Sequence, residues 1–498
     1  MVREKDQSVS RSEAEPGNAL QGVTRRQALS TIIGLGAAAL PVTRSILEAG
    51  QAPQPPKNLR IVTPPSSGRV VTPNDLRFVG FYRFPGDAGS LWWADAGITM
   101  RKKDGQTRFF IFGDHTESSP IIEMTLPNAA PSTAMDSAPL LSVHRNWGPL
   151  PGSRIQTGGT GYSLGSLSWD ETRNALWWNY GDAYVPVQHH PNFVATVLND
   201  STGAAVSYGP WRTEWLAQRT LGAMCQIPAA FAAAYTGGHR TAVMAHMSSG
   251  AIHSPWGASL SSLELPNPAT TPPDTTTNTS HWTIRNRGII LHDIDHRQSR
   301  DTRYRYEDFN VKYDCSKGVT MQAGIPLWGG PAPGAGTGDS MHSMVWIDLP
   351  DKHGLLYFGM LVTTPSGYSA PADPEGLVHM GYAALPGSPP RCCHGQDDPF
   401  FGATGPWAHY RVPMGWIYNP DDLVATTTGK AALHSRVPTS TFAWKPYLPW
   451  MRDRYAAGIF GRGAVFDAAT RRVYATLRHE TATVPPHPRP VILVFEIA

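Results

Sequence analysis

The sequence predicts an all-β chain folded as a β-propeller of five blades, with length enough between residues 246 and 339 for a sixth. Three observations carry this. Charged residues make up only 16% of 498 positions, while 48 glycines and 45 prolines interrupt the chain throughout. Frequent breakers with sparse charge argue against coiled coils, helical bundles and long amphipathic helices, and favour many short strands joined by turns. A hydrophobic share of 41% still suffices for a large core and excludes wholesale disorder. The third observation is a loose repeat: a strand, a short turn led by Asp or Gly, and a second strand.

In chain order, the first hairpin spans Asp95–His115 and turns at Lys103-Asp104-Gly105. The second runs from Gly165 to Asp182 and turns after Asp170; the third, Gln226–His246, turns at Gly237-Gly238. The fourth covers Ser343–Met360 with its turn after Asp348, and the fifth covers Gly463–His479 with its turn after Asp467. All alternate as strands do rather than at helical spacing. Hairpins recurring in this way are the mark of propeller blades, each needing outer strands as well. Ile121–Leu126, Phe193–Val197, Ser259–Leu265 and Gly415–Tyr418 supply them. Pro490–Ile497 is expected to share a blade with Leu76–Phe84, so that the chain ends close the ring. Segments 266–279, 329–338 and 387–402 read as long loops, because Pro, Gly, Thr and Asp dominate them. Trp92-Trp93 and Trp177-Trp178 lie within strand patterns and read as core. The alternative all-β reading is a sandwich with a second domain.

Residues 1–52 read as an export signal. Thr24-Arg25-Arg26-Gln27-Ala28-Leu29-Ser30 leads into a weakly apolar run, Ala28–Leu40, followed by Pro41 and Arg44. That run is too short to span a bilayer as a helix. The segment resembles the twin-arginine signal family, departing from it at Ala28, where Phe is preferred, and at Ser30, where Lys is common. The resemblance implies export of the folded chain by the twin-arginine machinery to the periplasm or beyond. Cleavage is expected near Gly50-Gln51-Ala52, leaving 53–69 as a linker and 70–498 as a single propeller domain. No segment after residue 52 is apolar enough to cross a membrane.

Four cysteines, Cys225, Cys315, Cys392 and Cys393, are too few for a disulfide scaffold. Adjacent Cys392-Cys393 before His394 reads as a vicinal disulfide or a soft-metal ligand set, without the CxxC spacing of zinc sites. A net charge of +3 provides no basic excess to track phosphates, so nucleic acid is not an expected partner. Of the 42 basic residues 33 are arginine, which fits a GC-rich coding bias and also bidentate recognition of carboxylates or sugar hydroxyls.

Chemistry is expected at one face. In a propeller the first strand of each blade begins, and the second ends, around the same central funnel. Strand starts place Asp95, Tyr162, Cys225, Asp339, His342 and Arg462 there. Strand ends add Asp114, His115, Tyr180, Asp182, Tyr184, His246, His479 and Glu480. Histidine serves as acid or base near neutrality, or in neutral form ligates a metal, so a divalent ion at the funnel histidines is one cofactor reading. A lyase on uronate sugars would use Arg462 or a His-bound metal to neutralise the carboxylate. His115, His246, His342 or His479 would take the proton, and Tyr162 or Tyr184 would protonate the leaving oxygen. A glycoside hydrolase would need two carboxylates, about 5–5.5 Å apart if retaining and about 6.5–9.5 Å if inverting. Asp95, Asp182 and Asp339 are its candidates, with Glu480 or Asp114 as acid. Asp95, Asp114 and Asp182 would equally serve as turn caps.

Over roughly 70–498 this arrangement resembles the five-bladed propeller superfamily of secreted glycosidases, and more loosely the propeller polysaccharide lyases. The resemblance is architectural, with no catalytic motif matched residue by residue. It implies a polysaccharide or oligosaccharide substrate. Elimination on an acidic glycan leads, because His and Tyr outnumber Glu in the funnel set; hydrolysis follows. A non-catalytic propeller binding glycan or protein is the alternative of another class. No GxSxG elbow, HExxH helix, phosphate-cradling Walker loop or EF-hand loop is present, and the corresponding enzyme and calcium-loop classes fall away.

Overall fold

The computed structural model describes residues 68–498 apart from 86–96, 114–118, 135–136, 151–161, 183–190, 216, 246–257, 274–282, 292–339, 363–365, 369–405, 409–410, 444–459 and 480–488. Two strands precede the first complete sheet: β1 (Arg69–Val70) and β2 (Leu76–Arg83). The first sheet has the order β3 (Ile98–Lys103), β4 (Gln106–Phe112), β5 (Pro120–Thr125), β6 (Ser142–Pro149). The second runs β7 (Tyr162–Asp170), β8 (Ala175–Asp182), β9 (Phe193–Asn199), β10 (Ala204–Thr213), with β14 (Thr283–Ile284) added parallel at its edge. The third consists of β11 (Met224–Gln226), β12 (Thr241–Val243), β13 (Ser259–Leu263) and β15 (Asn286–Leu291). In the fourth, β16 (Ser340–Asp348) and β17 (Lys352–Val362) are followed by the small ribbon β18 (Ser366–Tyr368) and β19 (Pro406–Ala408). Then β20 (Arg411–Tyr418) and β21 (Ser440–Ala443) complete that sheet, which also takes up β1. The fifth contains β22 (Phe460–Asp467), β23 (Arg472–His479) and β24 (Arg489–Ile497), with β2 as its outermost strand.

These five sheets are the blades of a propeller, and their first strands form the ring: β3 abuts β7, β7 abuts β11, β11 abuts β16, β16 abuts β22, and β22 returns to β3. The approach is close. An alanine Cβ at Gly165 would lie 2.1 Å from Leu221 O, and one at Gly463 would lie 2.3 Å from Ile98 N, so only glycine fits these junctions. Hydrogen bonds cross the same seams: Trp169 N donates to Thr99 Oγ1 at 3.0 Å, and Tyr357 OH donates to Ser259 O at 3.0 Å.

The core is correspondingly divided into five wedges between adjacent blades. Successive strand residues point to opposite faces, and here both faces are covered, so strands read as unbroken apolar runs. Trp177 packs toward the third blade and its neighbour Trp178 toward the first. Phe109 meets Tyr474 of the fifth blade at 5.1 Å, while Phe110 stacks on Trp169 of the second at 5.3 Å. Between the fourth and fifth blades Phe358 stacks on Phe495 at 5.9 Å.

Ring closure follows the expected pairing. β2 lies antiparallel to β24 from Leu76↔Ile497 to Arg83↔Val491. The closure is pinned by Ala498 N donating to Asp75 O at 2.9 Å and by the buried Asp75 carboxylate, held by Arg69 and by Lys352 Nζ at 3.0 Å. Burial opposes ionisation of Asp75, but its hydrogen bonds from Arg69, Thr72 and Lys352 outweigh it and depress the pKa well below the usual carboxylate range.

One expectation is corrected. The third hairpin is not strand–turn–strand: a helix, Ala229–Tyr235, separates two three-residue strands before the Gly237-Gly238 turn. Pro228 precedes an alanine-rich run that favours helix, and burial of Phe231 and Ala232 anchors it. The described residues form five blades, without a sixth. The ring also replaces the sandwich alternative. Among the described residues, no helix is long and apolar enough to cross a membrane.

Candidate functional site

The backbone brings several of the candidate residues to one end of the ring. Tyr162 opens β7 and is register-paired with Asp182, which ends β8. His479 ends β23 opposite Arg489. His342 sits in β16 where the register shifts between Met341↔Gly359 and Ser343↔Phe358. Arg462 falls in a longer irregularity of β22 between Phe460↔Leu477 and Ala464↔Ala475. β7 carries its own shift between Leu164↔Tyr180 and Leu167↔Trp178. Three of the five first strands therefore bulge near the funnel end. A bulge bends its strand and re-aims side chains, and such features recur at barrel rims and beside active sites. Asp95, Asp114, His115, Tyr184, His246, Asp339 and Glu480 lie outside the described residues, as do Trp92-Trp93, Cys315 and Cys392-Cys393.

Two of the candidates, the strand-end Tyr180 and the strand-start Cys225, are core. Tyr180 is fully buried, 5.8 Å from Trp178 in the wedge between the first two blades. It lies two residues before Asp182 on the same strand, but the blade interface covers it. Cys225 is a buried free thiol whose pKa burial pushes up to about 12, partly opposed by a hydrogen bond with the Trp346 backbone. It stays protonated at neutral pH and is neither a nucleophile nor a ready metal ligand. Cys225 lines a central cavity of about 110 Å³ together with Thr99, Ser168, Gln226, Trp346 and Phe466, which between them represent all five first strands. Among the described residues no group of three or more His, Cys, Asp or Glu is placed to hold a metal.

A charge cluster that the sequence reading did not anticipate lies in the first blade. Arg101, only 2% exposed, donates through Nε and Nη2 to the fully buried Glu123 carboxylate at 2.9 and 2.8 Å, and through Nη2 and Nη1 to Asp200 at 2.8 and 3.1 Å. Trp147 Nε1 donates to Glu123 at 3.0 Å, and Arg101 lies over the Phe110 and Trp169 rings at 5.0 and 5.2 Å. Burial of Asp200 opposes its ionisation, but hydrogen bonds from Arg101 and Lys103 prevail and pull its pKa down to about 2. These groups are mutually satisfied and tie the first blade to the second. Their role is structural. No local signal marks it: Arg101 opens the basic run Arg101-Lys102-Lys103, Glu123 is a lone carboxylate in an apolar strand, and Asp200 lies in a turn.

A scan against protein-family models finds no match, and neither does a search of curated proteins. Among solved structures, a glycosyl hydrolase from Bacteroides ovatus is 8% identical with a TM-score of 0.34, covering 86% of this chain and 96% of its own. Another concerns the GH130 family of mannoside phosphorylases, which contains glycoside hydrolases that target β-1,2 mannosidic linkages in Candida mannan. It is 9% identical with a TM-score of 0.34, covering 86% of this chain and 96% of its own. Likeness at that level transfers no activity or substrate to this chain.

Proposed function

We propose that the chain is an exported carbohydrate-active enzyme, a glycoside hydrolase working in the funnel with aspartates drawn from three blades. The supporting observation is topological. Asp182 ends β8 opposite Tyr162, while in the chain Asp339 immediately precedes β16 and Asp95 stands just ahead of β3. In the proposed site these three aspartates, belonging by chain position to the first, second and fourth blades, supply the funnel carboxylates. Glycosidic hydrolysis needs two carboxylates on opposite sides of the scissile bond, one as acid and one as nucleophile or base. A propeller funnel supplies such groups from separate rigid strands, and Tyr162, register-paired with Asp182, is assigned the role of an accompanying hydroxyl. Elimination on an acidic glycan would draw instead on His342, His479 and Arg462.

The test is incubation of the mature protein with neutral and uronate-containing polysaccharides. Hydrolysis yields new reducing ends without unsaturated sugars. Asp95→Asn, Asp182→Asn and Asp339→Asn are measured one at a time, and loss of an acid or base is expected to lower turnover roughly 10²–10⁴-fold for at least two of them. Unsaturated products would turn the assignment to elimination. Wild-type turnover in two of the three variants would overturn the carboxylate reading.

A further inference from the structure

The second blade has a joint between its body and its funnel end. In the β7–β8 ladder Leu167 pairs with Trp178 and Leu164 with Tyr180, so Gly165 and Ser166 together oppose the single residue Asn179. Two residues facing one make a bulge, which leaves ladder groups unpaired and bends the strand. Beyond it lies the tip of the hairpin, Tyr162–Leu164 paired with Tyr180–Asp182. The direction in which that tip leaves the blade is therefore set at the bulge.

Asn179 holds that bulge. It is fully buried, and its Oδ1 accepts from Ser166 N, an N–H within the bulge, at 2.6 Å. Its Nδ2 donates to Thr220 O at 2.7 Å and Gly222 O at 2.9 Å, in the segment that leads into β11 of the third blade. One amide thus joins both strands of the hairpin to the neighbouring blade. The glycine opposite leaves room for it, since a Cβ at Gly165 would lie 2.2 Å from Asn179 Oδ1. Asn192 ties the same seam: its O accepts from Tyr180 N at 3.0 Å and its Nδ2 donates to Thr220 Oγ1 at 3.0 Å. At the bulge of β22, by comparison, Thr476 Oγ1 donates to Gly463 O at 3.2 Å within one blade.

We propose that Asn179 is a positioning residue for the funnel: its amide sets the bulge that directs the Tyr162–Asp182 tip and ties that tip to the third blade. This role depends on the reading of Asp182 as a catalytic carboxylate. Only an amide meets the demands of the place. It needs one acceptor and two donors, which a primary amide supplies from a single planar group. A carboxylate would accept from Ser166 N but face two carbonyl oxygens with no proton to give them. An aliphatic side chain would leave all three buried backbone groups without a partner, each at a cost in stability.

Asn179→Asp tests this, because pH selects between two states of the new side chain. Burial raises its pKa. Ionised, it has no donor; protonated, it accepts from Ser166 N and donates to one carbonyl. On a glycan that the wild-type chain cuts, kcat per folded molecule at neutral pH is expected to fall roughly 10²-fold, the cost of misplacing a reacting group by about 1 Å, with KM changed far less. The ratio of variant to wild-type turnover is expected to rise as pH falls. A purely structural amide would lower the folded fraction and leave kcat per folded molecule unchanged. Hydrogen exchange gives a reading without turnover: amides of residues 162–166 are expected to exchange roughly tenfold faster in the variant, with those of β3 and β4 unaffected. If Asn179→Asp does not fold at neutral pH, kcat and exchange are measured on Asn179→Ser, which adds no charge. With Asp182→Asn impaired, wild-type kcat in the Asn179 variant, a turnover ratio independent of pH in Asn179→Asp, or unchanged exchange at the tip would overturn the positioning role. Wild-type turnover in Asp182→Asn, or no glycan cut by the wild-type chain, would instead remove the catalytic reading, and this role with it.

Discussion

Replacing Glu123 with alanine probes the joint between the first two blades. The Glu123 carboxylate is completely buried and receives Arg101 at 2.9 and 2.8 Å and Trp147 Nε1 at 3.0 Å, with Arg108 Nη1 at 3.5 Å. Removing one partner of a buried pair costs roughly 3–5 kcal/mol, because the other charge stays desolvated. The orphaned Trp147 N–H adds about 1–3 kcal/mol. Asp200 still holds Arg101 at 2.8 Å, and Arg108 keeps Asp104 at 3.2 Å, so part of the loss is offset. A net loss of about 4 kcal/mol is expected. Urea denaturation followed by tryptophan fluorescence reads it as a lower midpoint at constant slope. The double variant Arg101→Met/Glu123→Leu removes both desolvated charges and is expected to cost less than the single one. A single-variant loss below about 1 kcal/mol, the range of exposed ion pairs, would refute the reasoning. So would a double variant less stable than the single.

Two further outcomes concern stability. Gly463→Ala places a Cβ 2.3 Å from Ile98 N and 2.8 Å from Ile98 Cγ2 at the seam of the fifth and first blades, and overpacking of this kind costs about 1–3 kcal/mol. An unchanged thermal midpoint would show that the ring is not tightly closed there. Asp200 and Asp75 both have depressed folded-state pKa values, so their contribution is complete above the ordinary carboxylate value of 3.8 and is lost as pH falls through the folded values. Stability measured from pH 5 downward is expected to fall most steeply from roughly 4 toward 2, and Asp200→Asn is expected to flatten that limb. An equally steep limb in the variant would remove Asp200 from the account.

Much of the fold could be read from short stretches of sequence. The β3–β4 turn is an example: Asp104 and Gly105 adopt φ values of 52° and 72°, which Asp-Gly allows and a two-residue hairpin requires. Trp177-Trp178 was legible as core within a strand pattern, and the two rings pack in the wedges on either side of the second blade. The third hairpin was misread because its strands are three residues each and its helix buries only Phe231 and Ala232, too few for any period to emerge. At the funnel, the register of Tyr162 with Asp182 was foreseeable from hairpin geometry. The shifts that surround His342 and Arg462 were not, because a bulge answers the crowding of five strands at an axis rather than a local preference. Tyr180 shows the same gap: proximity to a strand end does not say whether the neighbouring blade covers it.

The sequence alone determined the hairpins, their turns and the pairing of the first long strand with the last. Turn chemistry and two-residue alternation act over a few neighbouring residues and leave their record there. Only the tertiary structure decided which groups meet across a wedge. Arg101 meets Glu123, 22 residues away, and Asp200, 99 residues away. Those encounters depend on how closely curved sheets pack around a common axis, a quantity that no single segment carries.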